Sequence, residues 1–279
     1  MARESLVVRP AAVAGMFYPG TRSMLEAEIE TYMSRSPDIN VETERLYGIV
    51  SPHAGYVYSG VVAAVGYKLL RSHRFENVVV IAPSHREYFS GASVFDGDAY
   101  ETPMGSVLVN RELCEFLVEE ATMLSMSMSG HRDEHSLEVQ LPFLQYMYGE
   151  GFKLVPVVVG EHSLKVVRDV AQALARASEE YEFVVVASSD LSHYHPYDVA
   201  VSIDSTLIKK LESYDLELLE DEFVENKLEA CGIVPILSLM RYAAIRGNPT
   251  FKVLDYKNSG DTSGMKSQVV GYLSAVVYE

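Results

Sequence analysis

The chain has 279 residues, 48% of them apolar and 22% charged, which suffices to bury one large core and excludes both intrinsic disorder and a disulfide-stapled miniprotein. The 39 acidic and 23 basic side chains give a formal charge of −16. Such a surface repels nucleic-acid phosphates and anionic lipid, so neither nucleic acid nor a membrane is an expected partner. With two cysteines, Cys114 and Cys231, no disulfide framework is implied and a reducing compartment fits.

In chain order, Glu4 and Arg9 interrupt the apolar residues at the N-terminus, so no signal peptide is expected. No apolar run reaches the roughly 18 residues needed to cross a bilayer, and a cytoplasmic protein is expected. A β-branched run at 47–51 reads as a strand, followed by a helical-period stretch at 60–70 and a second buried strand at 77–82. Helices are expected at 111–120 and 134–147, a strand at 154–159, a helix at 164–178 and a strand at 183–188. The pattern then changes to helices at 198–211, 215–226 and 233–245 and strands at 251–256 and 268–277. Alternation in the first part and a different order in the second predict an α/β sandwich: a mostly parallel, mixed sheet flanked by helices. No repeat or linker divides the chain, so one domain over 1–279 is expected. The acidic run at 216–225 keeps apolar residues at helical spacing and reads as a solvated helix face.

Sites in open α/β sheets collect beyond the carboxyl ends of strands, and three such places carry histidine. His53 follows the first strand in Ser51-Pro-His53, His85 follows the second in Pro83-Ser-His85, and Asp190 and His193 follow the strand at 183–188. A single loop histidine is more often a cap or a solvated side chain. His53 and His85, though, occupy equivalent positions just past their strands, and parallel neighbouring strands would aim both imidazoles into one crevice. A third ligand could come from Cys231, just ahead of an apolar helix where a thiolate is favoured, although a free cysteine is equally at home as a small buried hydrophobe, the reading for Cys114.

Two strings carry less. His131-Arg-Asp-Glu134-His135 matches the H-x-x-E-H pattern, but Gly130 before it and Asp133 as the expected N-cap leave His131 outside the helix, so paired ligation on one helical face fails. The segment 259–267 lacks the Gly-Lys adjacency of a phosphate loop. Neither G-x-G-x-x-G nor G-x-S-x-G occurs.

Taken together, Val13-Ala-Gly-Met-Phe-Tyr-Pro19, Pro52-His53-Ala-Gly-Tyr-Val-Tyr-Ser-Gly60, Pro83-Ser-His85, Asp133-Glu-His135-Ser-Leu-Glu138, Ser188-Ser-Asp190-Leu-Ser-His193 and Ala230-Cys231-Gly232 resemble, in order, the motifs of the Memo family. That family is similar in fold to the LigB-type class III extradiol dioxygenases. The resemblance covers nearly the whole chain and implies a mononuclear metal on His53, His85 and Cys231. Fe(II) is the metal it favours, with copper or zinc as alternatives. It further implies that His193 is the acid/base histidine, with Asp190 and His135 lining the pocket.

Extradiol enzymes complete their triad with a carboxylate. Cys231 in that place changes the charge and redox behaviour of the metal, so oxidoreductase chemistry on another substrate is expected rather than ring cleavage. Through the resemblance, AMMECR-type and radical-SAM proteins are expected partners, beside a small-molecule or peptide ligand. The rival reading is a binding module that captures a peptide, phosphopeptide-like, or a small ligand in the same cleft without turnover. A third reading, a zinc hydrolase, has only Glu87 near His85 as a local general base.

Overall fold

The computed structural model describes residues 6–279. The first third of the chain forms β1 (Val8–Arg9), α1 (Arg22–Arg35), β2 (Leu46–Ser51), α2 (Tyr56–Leu70), β3 (Asn77–Pro83), β4 (Ala92–Phe95) and β5 (Ala99–Thr102). The middle forms β6 (Gly105–Leu108), α3 (Arg111–Glu119), β7 (Leu124–Ser127), α4 (His135–Glu138), α5 (Leu141–Tyr148), β8 (Lys153–Val159), α6 (Leu164–Ala177), β9 (Phe183–Ser188) and β10 (Asp190–His195). The last part forms α7 (Tyr197–Ser213), α8 (Leu216–Val224), α9 (Ile233–Arg246), β11 (Thr250–Asn258), α10 (Ser259–Ser263) and β12 (Val269–Tyr278).

Nine strands build one mixed sheet in the order β10-β12-β2-β9-β3-β8-β4-β7, with β11 also paired to β12. Strands β2, β9, β3 and β8 are parallel to one another, and β12 and β4 join them antiparallel on either side. The β-branched runs are buried on both faces because period-two alternation sends successive side chains to opposite sides. Val79, Ile81, Val155, Val157 and Val185 meet α3, α6 and α9 in one core. Val78, Val80, Val158, Val184 and Val186 meet α1, α2 and α5 in the other. Cys114 sits in the first core, fully buried, as a small hydrophobe. A small second sheet, β1-β5-β6, is separate in its strand pairing and packs Tyr100 and Val107 into the second core.

Three local differences from the sequence reading have physical causes. The helix expected at 134–147 is broken into α4 and α5. Pro142 has no N–H to offer the carbonyl of Glu138, so the first helix ends and a new one starts with proline in its first turn. The segment after Ser188 is not a loop; it continues as β10, whose pairing with β12 slips between Asp190 and His193 and again before His195. Finally, β2 and β3 are not neighbours, because β9 lies between them. Their carboxyl ends still open on the same side, with Ser188 at the end of β9 between the two histidine loops.

In the acidic helix α8, Glu217 and Asp221 are exposed as expected, whereas Glu220 is buried against Arg168 and Arg241. In segment 259–267, Ser259–Ser263 form α10, which opens on a capping box of Asn258 and Asp261 rather than a phosphate-binding turn. Among the described residues, no helix is long and apolar enough to cross a membrane.

Candidate metal centre

His53 enters the site from the turn between β2 and α2 and is 1% exposed. Its backbone N–H donates to Asp190 Oδ1 at 2.8 Å, and its Nδ1 lies 2.8 Å from Ser188 Oγ. The Ser188 hydroxyl hydrogen is already given to the Ser136 carbonyl at 2.7 Å, and the same oxygen accepts Gln140 Nε2 at 2.9 Å. His53 Nδ1 must therefore be the donor, which leaves the lone pair on Nε2. Burial, with His85 and His135 alongside, drives this imidazole well below its ordinary range, so it is neutral.

His85 follows β3 at the open mouth. Its backbone N–H donates to Glu134 Oε2 at 2.5 Å and its Nδ1 lies 3.0 Å from Glu134 Oε1. Burial works against a charge on Glu134, yet hydrogen bonds from His135 and His85 and the nearby His85 ring outweigh it, holding the carboxyl far below the usual range. An ionised carboxylate only accepts, so His85 Nδ1 also carries the hydrogen and Nε2 is free.

His135 opens α4. Glu134, rather than Asp133, is the N-cap, its side chain accepting from the N–H groups of His135 and Ser136. Asp133 instead is exposed and pairs with Arg132. The His135 ring lies against Phe17 at 4.7 Å between centroids, and its buried Nδ1 lies 3.1 Å from Glu134 Oε1. His53, His85 and His135 each bring one ligand atom within 4.8 Å of the others. A three-imidazole cluster that can hold a metal ion thus sits over the ends of β2, β9 and β3.

Cys231 reaches this trio through His53, its Sγ standing 3.1 Å from Nε2. Burial, and then Asp190, push the thiol up, so without a metal it is protonated. Its loop lies on the backbone of Ser189 and Asp190: Gly232 N–H donates to Ser189 Oγ, and Asp190 N–H points at Sγ from 3.3 Å. Asp190 is pushed up to about 6 by burial, against the pull of the His53 N–H and the surrounding imidazoles. Three converging imidazoles, two of them with the Nε2 lone pair free, and a soft sulfur form a donor set that suits iron, copper or zinc.

His193, in β10, donates Nδ1–H to the Leu191 carbonyl at 2.8 Å, which leaves its Nε2 basic. Glu229, two residues before Cys231, accepts from His193 N and lies 2.7 Å from His195 Nε2, tying the cysteine loop to β10. His131 points elsewhere, into a buried contact with Tyr100 and Ser93. Glu87 accepts Gly130 N–H at 2.8 Å, a turn-stabilising use. Sequence reasoning missed Glu134, whose signal lay in the H-x-x-E-H string already set aside.

Comparison with known proteins agrees with this architecture. Residues 9–276 match the sequence profile described as Memo-like protein. The chain is 36% identical over 270 residues to a MEMO1 family protein of Thermoplasma volcanium, covering 97% of this chain and 98% of that one. It is 37% identical over 281 residues to a MEMO1 family protein of Methanobrevibacter smithii, at 97% and 99% coverage. To one from Methanopyrus kandleri it is 38% identical over 278 residues, at 96% and 98%. A crystal structure of an uncharacterized protein from Escherichia coli K12 is alike in fold, with a TM-score of 0.54 over 83% of this chain and 99% of that chain at 16% identity. With a profile match over nearly its full length and relatives of this identity, the chain belongs to the Memo-like family.

Proposed function

We propose that this protein is a metal-dependent oxidoreductase with one Fe(II) held by His53, His85 and Cys231, and with His135 facing the same ion. The observation that carries the reading is the convergence of three imidazole ligand atoms within 4.8 Å, two of them with the lone pair freed by the fixed tautomer. When bound, the metal supplies Lewis acidity and one-electron chemistry at the mouth of the pocket. Around it, Ser188 holds His53 in the ligating tautomer and Asp190 fixes the His53 backbone. His193, with Nδ1 committed to Leu191, keeps Nε2 available to take a proton from a small-molecule substrate.

The test is anaerobic Fe(II) titration with elemental analysis of the parent beside His53→Ala, His85→Ala and Cys231→Ala. One iron per chain in the parent and at least tenfold weaker binding in each variant are expected. Iron binding by a histidine variant as tight as the parent's would remove that residue from the ligand set. Preferential retention of zinc or copper would keep the ligands and change the metal. No metal in the parent would leave the cleft as a binding module for a peptide or small ligand.

A further inference from the structure

We infer that Glu134 is the positioning residue of the metal centre: one buried carboxylate fixes the separation of His85 and His135 and selects the ligating tautomer of His85. The inference rests on the metal-site reading above. Glu134 is 1% exposed and accepts four N–H groups from two chain segments that meet only in the fold. Oε2 takes the His85 backbone N–H at 2.5 Å, and Oε1 takes His85 Nδ1–H and the backbone N–H groups of His135 and Ser136, each at 3.0 Å.

The loop after β3 and the first turn of α4 are thereby referred to the same two oxygens, and the imidazoles they carry stand 4.7 Å apart between ring centroids. A carboxylate behind a ligating imidazole also raises that ring's basicity toward a cation. Removing such a group typically weakens metal binding about 10- to 100-fold. The two segments are joined independently by Ser136 Oγ–H on the Pro83 carbonyl at 2.7 Å, and Arg9 of β1 anchors the Glu134 carbonyl at 2.6 Å, so the fold does not hang on the carboxylate alone.

Glu134→Asp separates positioning from helix capping. Aspartate is itself a favoured N-cap and can still serve His135 and Ser136, but it is one methylene too short to reach His85. Two readouts are needed. The histidine-ring 15N spectrum of the metal-free protein at pH 8 reports the His85 tautomer, and a Co(II) titration followed by ligand-field absorption reports affinity and site geometry.

The expected result is a thermal midpoint within a few degrees of the parent, a His85 ring that no longer holds the Nδ1–H form, and Co(II) binding weakened by about tenfold or more. An unchanged tautomer would overturn the inference, whether Co(II) affinity is retained or falls only in step with lost thermal stability, the latter marking a structural cap. If the parent itself takes up no Co(II), the metal reading fails, while the tautomer measurement still decides whether Glu134 orients His85.

Discussion

At the scale of single residues, the site depends on which nitrogen of each ring carries hydrogen, and the same logic applies to the histidine that lies outside it. His131 gives Nε2–H to the Ser93 carbonyl and accepts from the Tyr100 hydroxyl, so the native state holds it neutral. Burial, assisted by Arg9, lowers it to about 3. An unfolded chain takes that proton near pH 6.5, so folded stability falls as pH drops from about 6.5 toward 3, by up to about 1.4 kcal/mol per unit. His131→Gln can keep polar contacts in that place without titrating. Denaturant unfolding of parent and variant across this window should show the parent losing stability more steeply; parallel curves would refute the assignment. His53 and His85 were legible because each stands two residues past a buried strand with a proline at the turn, whereas Glu134 was not, since no spacing rule tells which distant loop a carboxylate will meet.

At the scale of elements, the central strands were readable because burial on both faces demands uninterrupted β-branched runs, as in β3 and β9. The four-residue strands β4 to β7 carry mixed composition and exist through pairing with neighbours, so local sequence does not announce them. Neither does it announce β10, where a polar residue, Asp190, enters a strand and meets the His53 backbone. The approach of the α9 N-terminus to β9 has a comparable tertiary cause. A methyl group on Gly232 would lie 2.1 Å from the Ser188 carbonyl oxygen and 2.5 Å from Ser189 Cβ. Backbone cannot yield there as a flexible side chain would, so Gly232→Ala must push the Cys231 loop away from His53. We predict a stability loss of about 1–3 kcal/mol from overpacking. Iron affinity, measured by anaerobic titration on the folded variant, should fall at least tenfold, and retained affinity would show that the cysteine loop tolerates displacement.

At the scale of the whole molecule, the histidine-bearing segment has to be joined to the rest of the protein, and a buried ion pair does this. Arg9, in β1 of the small sheet, is 2% exposed and pairs with the fully buried Glu138 of α4, while its other nitrogens hold the carbonyls of His131 and Glu134. Glu138 also accepts the N–H groups of Ala12 and Val13 and the Tyr18 hydroxyl. Both charges are desolvated, so the pair need not exceed an apolar substitute in stability, but breaking it leaves one charge uncompensated. Glu138→Gln should therefore cost about 3–5 kcal/mol of unfolding free energy, read by denaturant titration. Arg9→Met combined with Glu138→Leu should recover part of the loss by removing the stranded guanidinium. Recovery should stay incomplete, because Ala12, Val13 and Tyr18 would still lack their acceptor. If Glu138→Gln alone unfolds at the parent's midpoint, the small sheet and the histidine-bearing segment are joined by something other than this pair.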